Sequence, residues 1–240
     1  MALKKIMRNK LDWKKIVGAI LLITLILSII YSIIKIINAP SEDMVADEST
    51  RVKSDYVLML VQCILGLVVM AVPSFIERKW MISIPNHMYI LYFVFLYCAI
   101  YLGEVRNFYF VIPHWDTILH AFSGAMLGAL GFSLVSILNG SKRLKLNLSP
   151  FFVSLFAFCF ALSAGALWEI YEYTFDGLLS LNMQKFALED GTLLVGREAL
   201  ADTMKDIIVD ALSAFIISVL GFFTIKKDRL AKDYEESMSE

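Results

Sequence analysis

The sequence has few charged residues and few histidines. Asp, Glu, Lys and Arg together make up 19% of the 240 residues, and only 3 residues are His. The formal net charge is -1, so no overall basic field is present to attract nucleic acid. Hydrophobic residues make up 58% of the chain, more than a soluble domain of this length needs. Because the charges lie between apolar runs, the composition is typical of a polytopic membrane protein.

Several enzyme signatures are also missing. Three histidines are too few for a multi-histidine di-iron site, and the chain contains no G-x-S-x-G, H-E-x-x-H or G-x-x-x-x-G-K-S/T pattern. The 3 Cys residues all lie in apolar runs, and an odd number without metal-type spacing argues against a disulfide framework. We expect these cysteines to be small buried hydrophobic residues.

Six apolar segments are long enough to cross a membrane, which takes about 20 residues in a helix. They cover about residues 16–38, 56–77, 86–103, 117–139, 151–175 and 205–225. The first is too long for a cleaved signal peptide and no A-x-A site follows it, so we expect a retained helix. The sequence therefore predicts an all-α, polytopic integral membrane protein that forms a single membrane domain over residues 1–240.

The distribution of Lys and Arg predicts the orientation of these helices. The N-terminal arm, the second and fourth connecting loops and the C-terminal tail together carry fifteen Lys and Arg, against five in the other loops. Loops rich in Lys and Arg remain on the cytoplasmic side. Both termini are therefore predicted to be cytoplasmic, which places the loop of residues 177–204 outside.

Three of the segments carry ionisable residues at their predicted outer ends, spaced so that they share one helix face. These residues are Asp116, His120, Glu169, Glu172, Asp206 and Asp210. Small residues such as Gly124, Gly128 and Gly165 continue the same faces toward the middle of the membrane, where they let helices approach closely. We therefore expect the three faces to meet around one polar site.

A charged group facing lipid would cost up to about 2.5–3.5 kcal/mol at the bilayer centre. A shared interior is therefore the favoured location for the six residues. Asp176 and Asp202 border the loop, so capping, solvation or pairing with a cation is their expected role. Few Lys or Arg lie at the depth of the six, so a salt-bridge network is a poor explanation of the cluster.

Carboxylates with one imidazole suit a divalent cation: Mg²⁺, Mn²⁺, Ca²⁺ or Zn²⁺. The predicted ligands are Glu169, Glu172, Asp206, Asp210 and His120. Asp116 lies one turn before His120, so it is expected to orient the imidazole, and this pair is also the candidate catalytic pair of a general base. Protonation of several acids is the competing explanation.

The order D-x-x-x-H, then paired Glu, then D-x-x-x-D, in "HWDTILHAFSG", "ALWEIYEYTFD" and "DTMKDIIVDALSA", resembles the YjdF-type bacterial inner-membrane proteins. It is more distantly similar to VanZ-like proteins. The resemblance covers about residues 110–225 and implies a multi-pass protein of the bacterial cytoplasmic membrane with a role in the envelope. It implies no reaction.

Three classes of function stay open at this level. The first is a factor or enzyme that handles an envelope lipid or its headgroup with a divalent cation, with membrane lipids as partners. The second is a cation- or proton-coupled transporter, and the third is a non-catalytic accessory protein. Whether the protein is an enzyme, and its oligomeric state, do not follow from these patterns.

Overall fold

A computed structural model of the chain describes residues 12–40, 51–81, 83–139, 148–179, 181–188 and 192–239. In these residues the fold is all-α, with a single isolated antiparallel bridge between Ala187 and Leu193. Six helices are long and apolar enough to cross a membrane, which confirms the predicted fold class. The basic segments 1–11 and 140–147 lie outside the described residues, and the orientation stays a prediction.

The helices begin and end close to the predicted limits. The first group is α1 (Trp13–Asn38), α2 (Lys53–Trp80) and α3 (Asn86–Leu96), which continues as a π-helix over Tyr97–Val105. A short helix follows, α4 (Phe108–Val111). The second group is α5 (Trp115–Asn139), α6 (Pro150–Leu179) and α7 (Ala201–Ser239), which follows a 3-10 turn. The predictions 151–175 and 205–225 end too early, because helix geometry continues into polar residues that a hydropathy limit excludes.

The chain divides into two compact units, residues 1–113 and 114–240. In the first unit, Leu21 and Leu25 of α1 pack with Met59 and Cys63 of α2, and all four side chains are fully buried. Burial of these side chains against one another holds α1 and α2 together through close packing. The prediction of a single membrane domain is not decided by this division.

Small residues form the helix contacts of the second unit. A Cβ placed on Gly131 of α5 would lie 2.7 Å from the Cα of Ala157 on α6. One placed on Gly128 would lie 3.7 Å from the Cα of Ala214 on α7. Ala157 and Ala214 are themselves fully buried. The backbones therefore approach closely through small residues, as the sequence pattern predicts.

The outward faces of the helices are apolar, as contact with membrane lipids requires. Phe215, Ile216 and Leu220 of α7 are more than half exposed. Of the cysteines, Cys63 is buried as predicted, but Cys159 is exposed on α6, so the prediction that all three are buried is wrong. A thiol on a lipid-facing helix surface is as compatible with an apolar run as a buried one, and hydropathy does not separate the two. All three cysteines are free thiols.

Candidate functional site

Four ionisable side chains of the second unit meet where α5 and α7 begin. We call Asp116, His120, Asp206 and Asp210 the acid–histidine cluster. His120 is 8% exposed, and Asp206 and Asp210 are each 2% exposed. Each helix presents its pair four residues apart, so both members of a pair lie on the same face. The sequence analysis predicted that three faces meet, and those of α5 and α7 meet in this cluster.

One nitrogen of the His120 ring is held by a carboxylate of α7. Nδ1 of His120 lies 3.2 Å from Oδ2 of Asp210, and Oγ of Ser123 donates to the other oxygen, Oδ1, at 3.4 Å. A Cβ on Gly165 of α6 would collide with the same carboxylate of Asp210. Glycine at position 165 therefore leaves the space that the carboxylate of Asp210 needs in order to contact the imidazole of His120.

The other nitrogen of the ring faces two further carboxylates. Nε2 of His120 is 3.7 Å from Oδ1 of Asp116 and 4.0 Å from Oδ2 of Asp206. Both distances exceed a hydrogen bond. A proton on Nδ1, donated to Asp210, leaves Nε2 as an unprotonated lone pair in the neutral ring. Three acceptor atoms then point toward one small space.

Two carboxylates at this end have buried oxygens without a hydrogen-bond partner in the part of the chain that the structure describes. They are both oxygens of Glu169 on α6 and Oδ1 of Asp206. Glu169 is 4% exposed. A buried polar atom without a partner is costly, so each of these oxygens needs a proton, a water or a cation.

A lysine from the loop between α6 and α7 reaches the rim of the cluster. Nζ of Lys185 lies 2.5 Å from Oδ2 of Asp116 and 3.1 Å from Oδ2 of Asp202. Burial by itself lowers the pKa of the Lys185 ammonium, but the charges of Asp116 and Asp202 and the hydrogen bonds to both raise it above its ordinary range. Lys185 is therefore charged at neutral pH.

The loop that carries Lys185 is fastened to both neighbouring helices. Asp176 at the end of α6 accepts hydrogen bonds from the backbone N–H groups of Met183 and Gln184, at 2.8 and 3.0 Å. The side chain of Gln184 donates to Oγ1 of Thr203 on α7 at 2.8 Å. These contacts place the backbone of Lys185 at a fixed position beside the cluster.

The predicted site residues differ in the contacts that they make. Asp210, predicted as a metal ligand, contacts Nδ1 of His120, a contact with the imidazole that the sequence analysis expected of Asp116. Glu172 accepts a hydrogen bond from Nε1 of Trp168 on its own helix at 2.9 Å. Asp176 caps the loop and Asp202 pairs with a cation, as the residues bordering the loop were expected to do.

Lys185 is the residue that the sequence analysis missed, because it was counted only as a loop charge. Its partner Asp116 lies 69 residues away in the chain, so no local pattern joins the two. The available signal is weak: Lys185 is the single Lys or Arg in residues 177–196, between two acidic helix ends.

The geometry of the cluster fits a divalent cation. One ligand atom each from Asp116, His120 and Asp206 lies within 4.8 Å of the other two. Ligands of Mg²⁺, Zn²⁺ or Ca²⁺ are about 2.0–2.6 Å from the ion, so two of them can be up to about 4–5 Å apart. Two carboxylates with an imidazole are also a common donor set for such ions. The residues present are therefore able to hold one ion with small side-chain movements.

Six apolar helices and a buried polar cluster define a polytopic integral membrane protein. The chain belongs to the family described as "Predicted membrane protein (DUF2238)", which matches residues 15–227. An uncharacterized protein of Thermotoga maritima is 32% identical over 130 residues, which is 54% of this chain and 57% of that protein. The chain thus matches little more than half of the length of this relative.

No solved structure matches the chain significantly. The family confirms the multi-pass membrane location that was predicted from hydropathy. The resemblance to YjdF-type proteins is consistent with this family, whereas the comparisons do not support the VanZ-like resemblance.

Proposed function

We propose that the second unit binds one divalent cation through His120, Asp116 and Asp206, and that the protein uses it to handle the headgroup of an envelope lipid. The observation that carries the metal proposal is the direction of Nε2 of His120. With Nδ1 donating to Asp210, Nε2 presents a lone pair to Asp116 and Asp206, 3.7 and 4.0 Å away. Three electron-rich atoms in one space repel one another unless a cation lies between them.

The competing explanation places protons on the cluster. An imidazolium at His120 would pair with Asp116, Asp206 and Asp210, and no metal would be needed. An imidazolium alone gives no partner to the two oxygens of Glu169 or to Oδ1 of Asp206, which have none among the described residues, so this explanation also needs protons on these acids. A cation with its coordinated water provides partners for these oxygens without protonation of the acids, and we favour it for that reason.

The lipid part of the proposal follows from charge and location. The cluster lies at the ends of helices whose outer surfaces are apolar, and side chains of Asp116 and Lys185 are 19% and 26% exposed there. Without a cation the acids repel an anionic headgroup. A bound dication reverses the local charge and acts as a Lewis acid toward a phosphate or carbonyl oxygen. By the predicted orientation this end faces the outer leaflet.

Purified full-length protein in detergent tests the metal site. The metal content is measured, and melting temperature is followed as Mg²⁺, Mn²⁺, Ca²⁺ or Zn²⁺ is added. We expect one of these ions to raise the melting temperature of the wild type through binding to the native state. The increase is lost in Asp206→Asn and His120→Gln and kept in Asp228→Asn, an exposed acid of α7. Absence of any shift and of any co-purified ion in the wild type contradicts the metal proposal.

A deletion strain tests the lipid part. Mass-spectrometric lipid profiles of the deletion strain are compared with those of the same strain carrying wild type or Asp206→Asn. We expect a headgroup-specific change that the wild type restores and Asp206→Asn does not. Identical profiles in all strains contradict a role in lipid handling while leaving the metal site intact.

A cation transporter is the second candidate, and one observation favours it. Oγ of Ser218, two turns beyond Asp210 on α7, is buried and has no hydrogen-bond partner among the described residues. A polar atom at this depth is what a path toward the other side of the membrane needs. Uptake of radiolabelled Mn²⁺ into proteoliposomes separates the two candidates, because a lipid-handling factor gives no uptake above that of empty vesicles.

A further inference from the structure

The two oxygens of Asp116 have different partners. Oδ2 accepts a hydrogen bond from Nζ of Lys185 at 2.5 Å, whereas Oδ1 is the oxygen 3.7 Å from Nε2 of His120. The ammonium is also bound by both oxygens of Asp202, at 3.1 and 3.3 Å. Lys185 therefore occupies one side of the Asp116 carboxylate while the other side faces the cluster.

Lys185 lies at the end of a turn, where its backbone N–H donates to the carbonyl oxygen of Asn182 at 3.3 Å. Its φ is 48°, in the left-handed region that residues with a side chain rarely adopt. The neighbouring backbone is nevertheless held in place through Asp176 and Gln184. Strain of this kind, maintained by its surroundings, is found where a side chain must be directed at a functional site.

We propose that Lys185 is a positioning residue that keeps Asp116 a single-oxygen ligand and so determines which ion the cluster prefers. This inference rests on the proposed metal site. An ammonium bound to one oxygen of a carboxylate competes for that oxygen and so disfavours coordination of an ion by both oxygens. Ca²⁺ takes six to eight oxygen ligands, often from two-oxygen carboxylates, whereas Mg²⁺ and Zn²⁺ need fewer protein ligands. Lys185 therefore selects for the smaller ions and against Ca²⁺.

Binding of Mn²⁺, Zn²⁺ and Ca²⁺ to the full chain in detergent tests this inference, with Lys185→Met as the main variant. Partners that orient a ligand contribute about 10–100-fold to metal affinity, and we expect a loss of this size for Mn²⁺ in Lys185→Met. The loss for Ca²⁺ is smaller, so the preference for Mn²⁺ over Ca²⁺ falls. Lys185→Arg is expected to retain most of the affinity for both ions, because a guanidinium also donates hydrogen bonds to Oδ2 of Asp116.

Lys205→Met is the matched control. Lys205 lies one residue before Asp206 and is exposed, so its removal takes away the same charge without touching Asp116. We expect its ion preference to equal that of the wild type. The visible spectrum of bound Co²⁺, which depends on coordination number, should change in Lys185→Met and stay unchanged in Lys205→Met.

The outcomes separate this inference from the proposed function. If the wild type binds no divalent ion, both fail. If the wild type binds but Lys185→Met binds Mn²⁺ equally or more tightly, only this inference fails, since Lys185 then does not hold a ligand. Should Lys185→Met not fold, Lys185→Gln is measured instead, and an unchanged Mn²⁺-to-Ca²⁺ preference in that variant also overturns the inference.

Discussion

Nδ1 of His120 on α5 and Oδ2 of Asp210 on α7 are 3.2 Å apart, and both side chains are almost fully buried. This contact joins two helices across the acid–histidine cluster and determines which ring nitrogen faces Asp116 and Asp206. A carboxylate behind an imidazole increases the basicity of the ring and fixes its tautomer. Asp210 therefore contacts Nδ1, whereas Asp116 and Asp206 lie nearest to Nε2.

Asp210→Asn should weaken divalent-ion binding by about 10–100-fold while the protein still folds. Asparagine has no charge and donates as readily as it accepts, so Nδ1 no longer retains its proton preferentially. Isothermal titration with Mn²⁺ measures the effect, and Asp228→Asn is the control on the same helix. Wild-type affinity in Asp210→Asn would show that Asp210 does not orient the ring.

Gly165→Ala should lower both stability and ion affinity. The added Cβ collides with the carboxylate of Asp210, and relief of such overpacking typically costs about 1–3 kcal/mol. Gly177→Ala on the same helix is the control, because a Cβ there meets nothing within 4 Å. In an exposed helix that change is expected to be neutral or stabilising by up to about 1 kcal/mol. Thermal melting in detergent compares the two, and equal melting temperatures would contradict the close contact.

Lys185→Met should lower the melting temperature by the same amount at about pH 7.5 and about pH 9.5. The folded-state pKa of Lys185 is raised above its ordinary value of 10.5. A raised lysine pKa gives stability that is fully present below the unfolded-state pKa and is lost only as pH rises through the folded-state pKa. Both pH values lie below the range in which this stability is lost. A difference that disappears by about pH 9.5 would contradict a charged, paired Lys185, and Lys205→Met serves as the control at each pH.

The predicted orientation is tested by labelling with a membrane-impermeant maleimide. In a background without Cys63, Cys98 and Cys159, we expect Leu188→Cys to react in intact cells. Lys227→Cys, at the opposite end of the second unit, should react only after permeabilisation. Labelling of Leu188→Cys only in permeabilised cells would move the cluster to the cytoplasmic side and remove the outer-leaflet part of the lipid proposal.

The sequence by itself determines the number of membrane helices and the residues that share a face. A helix in lipid satisfies its own backbone groups, so length and hydropathy of one segment are enough to locate it. The spacing of Asp206 and Asp210, like that of Asp116 and His120, is equally local, since one helical turn brings each pair to one side. These features need no knowledge of neighbouring segments.

Only the tertiary structure decides which of these side chains touch. The choice of Asp210 over Asp116 as the partner of His120 depends on the rotation and depth of α5 against α7, which the space at Gly165 permits. The contact of Lys185 with Asp116 depends on the hydrogen bonds through which Asp176 and Gln184 hold the loop in place. Glu172 turns to Trp168 although it shares a face with Glu169. Helical periodicity places a residue on a face, but side-chain contacts between helices are set by packing among residues far apart in the chain.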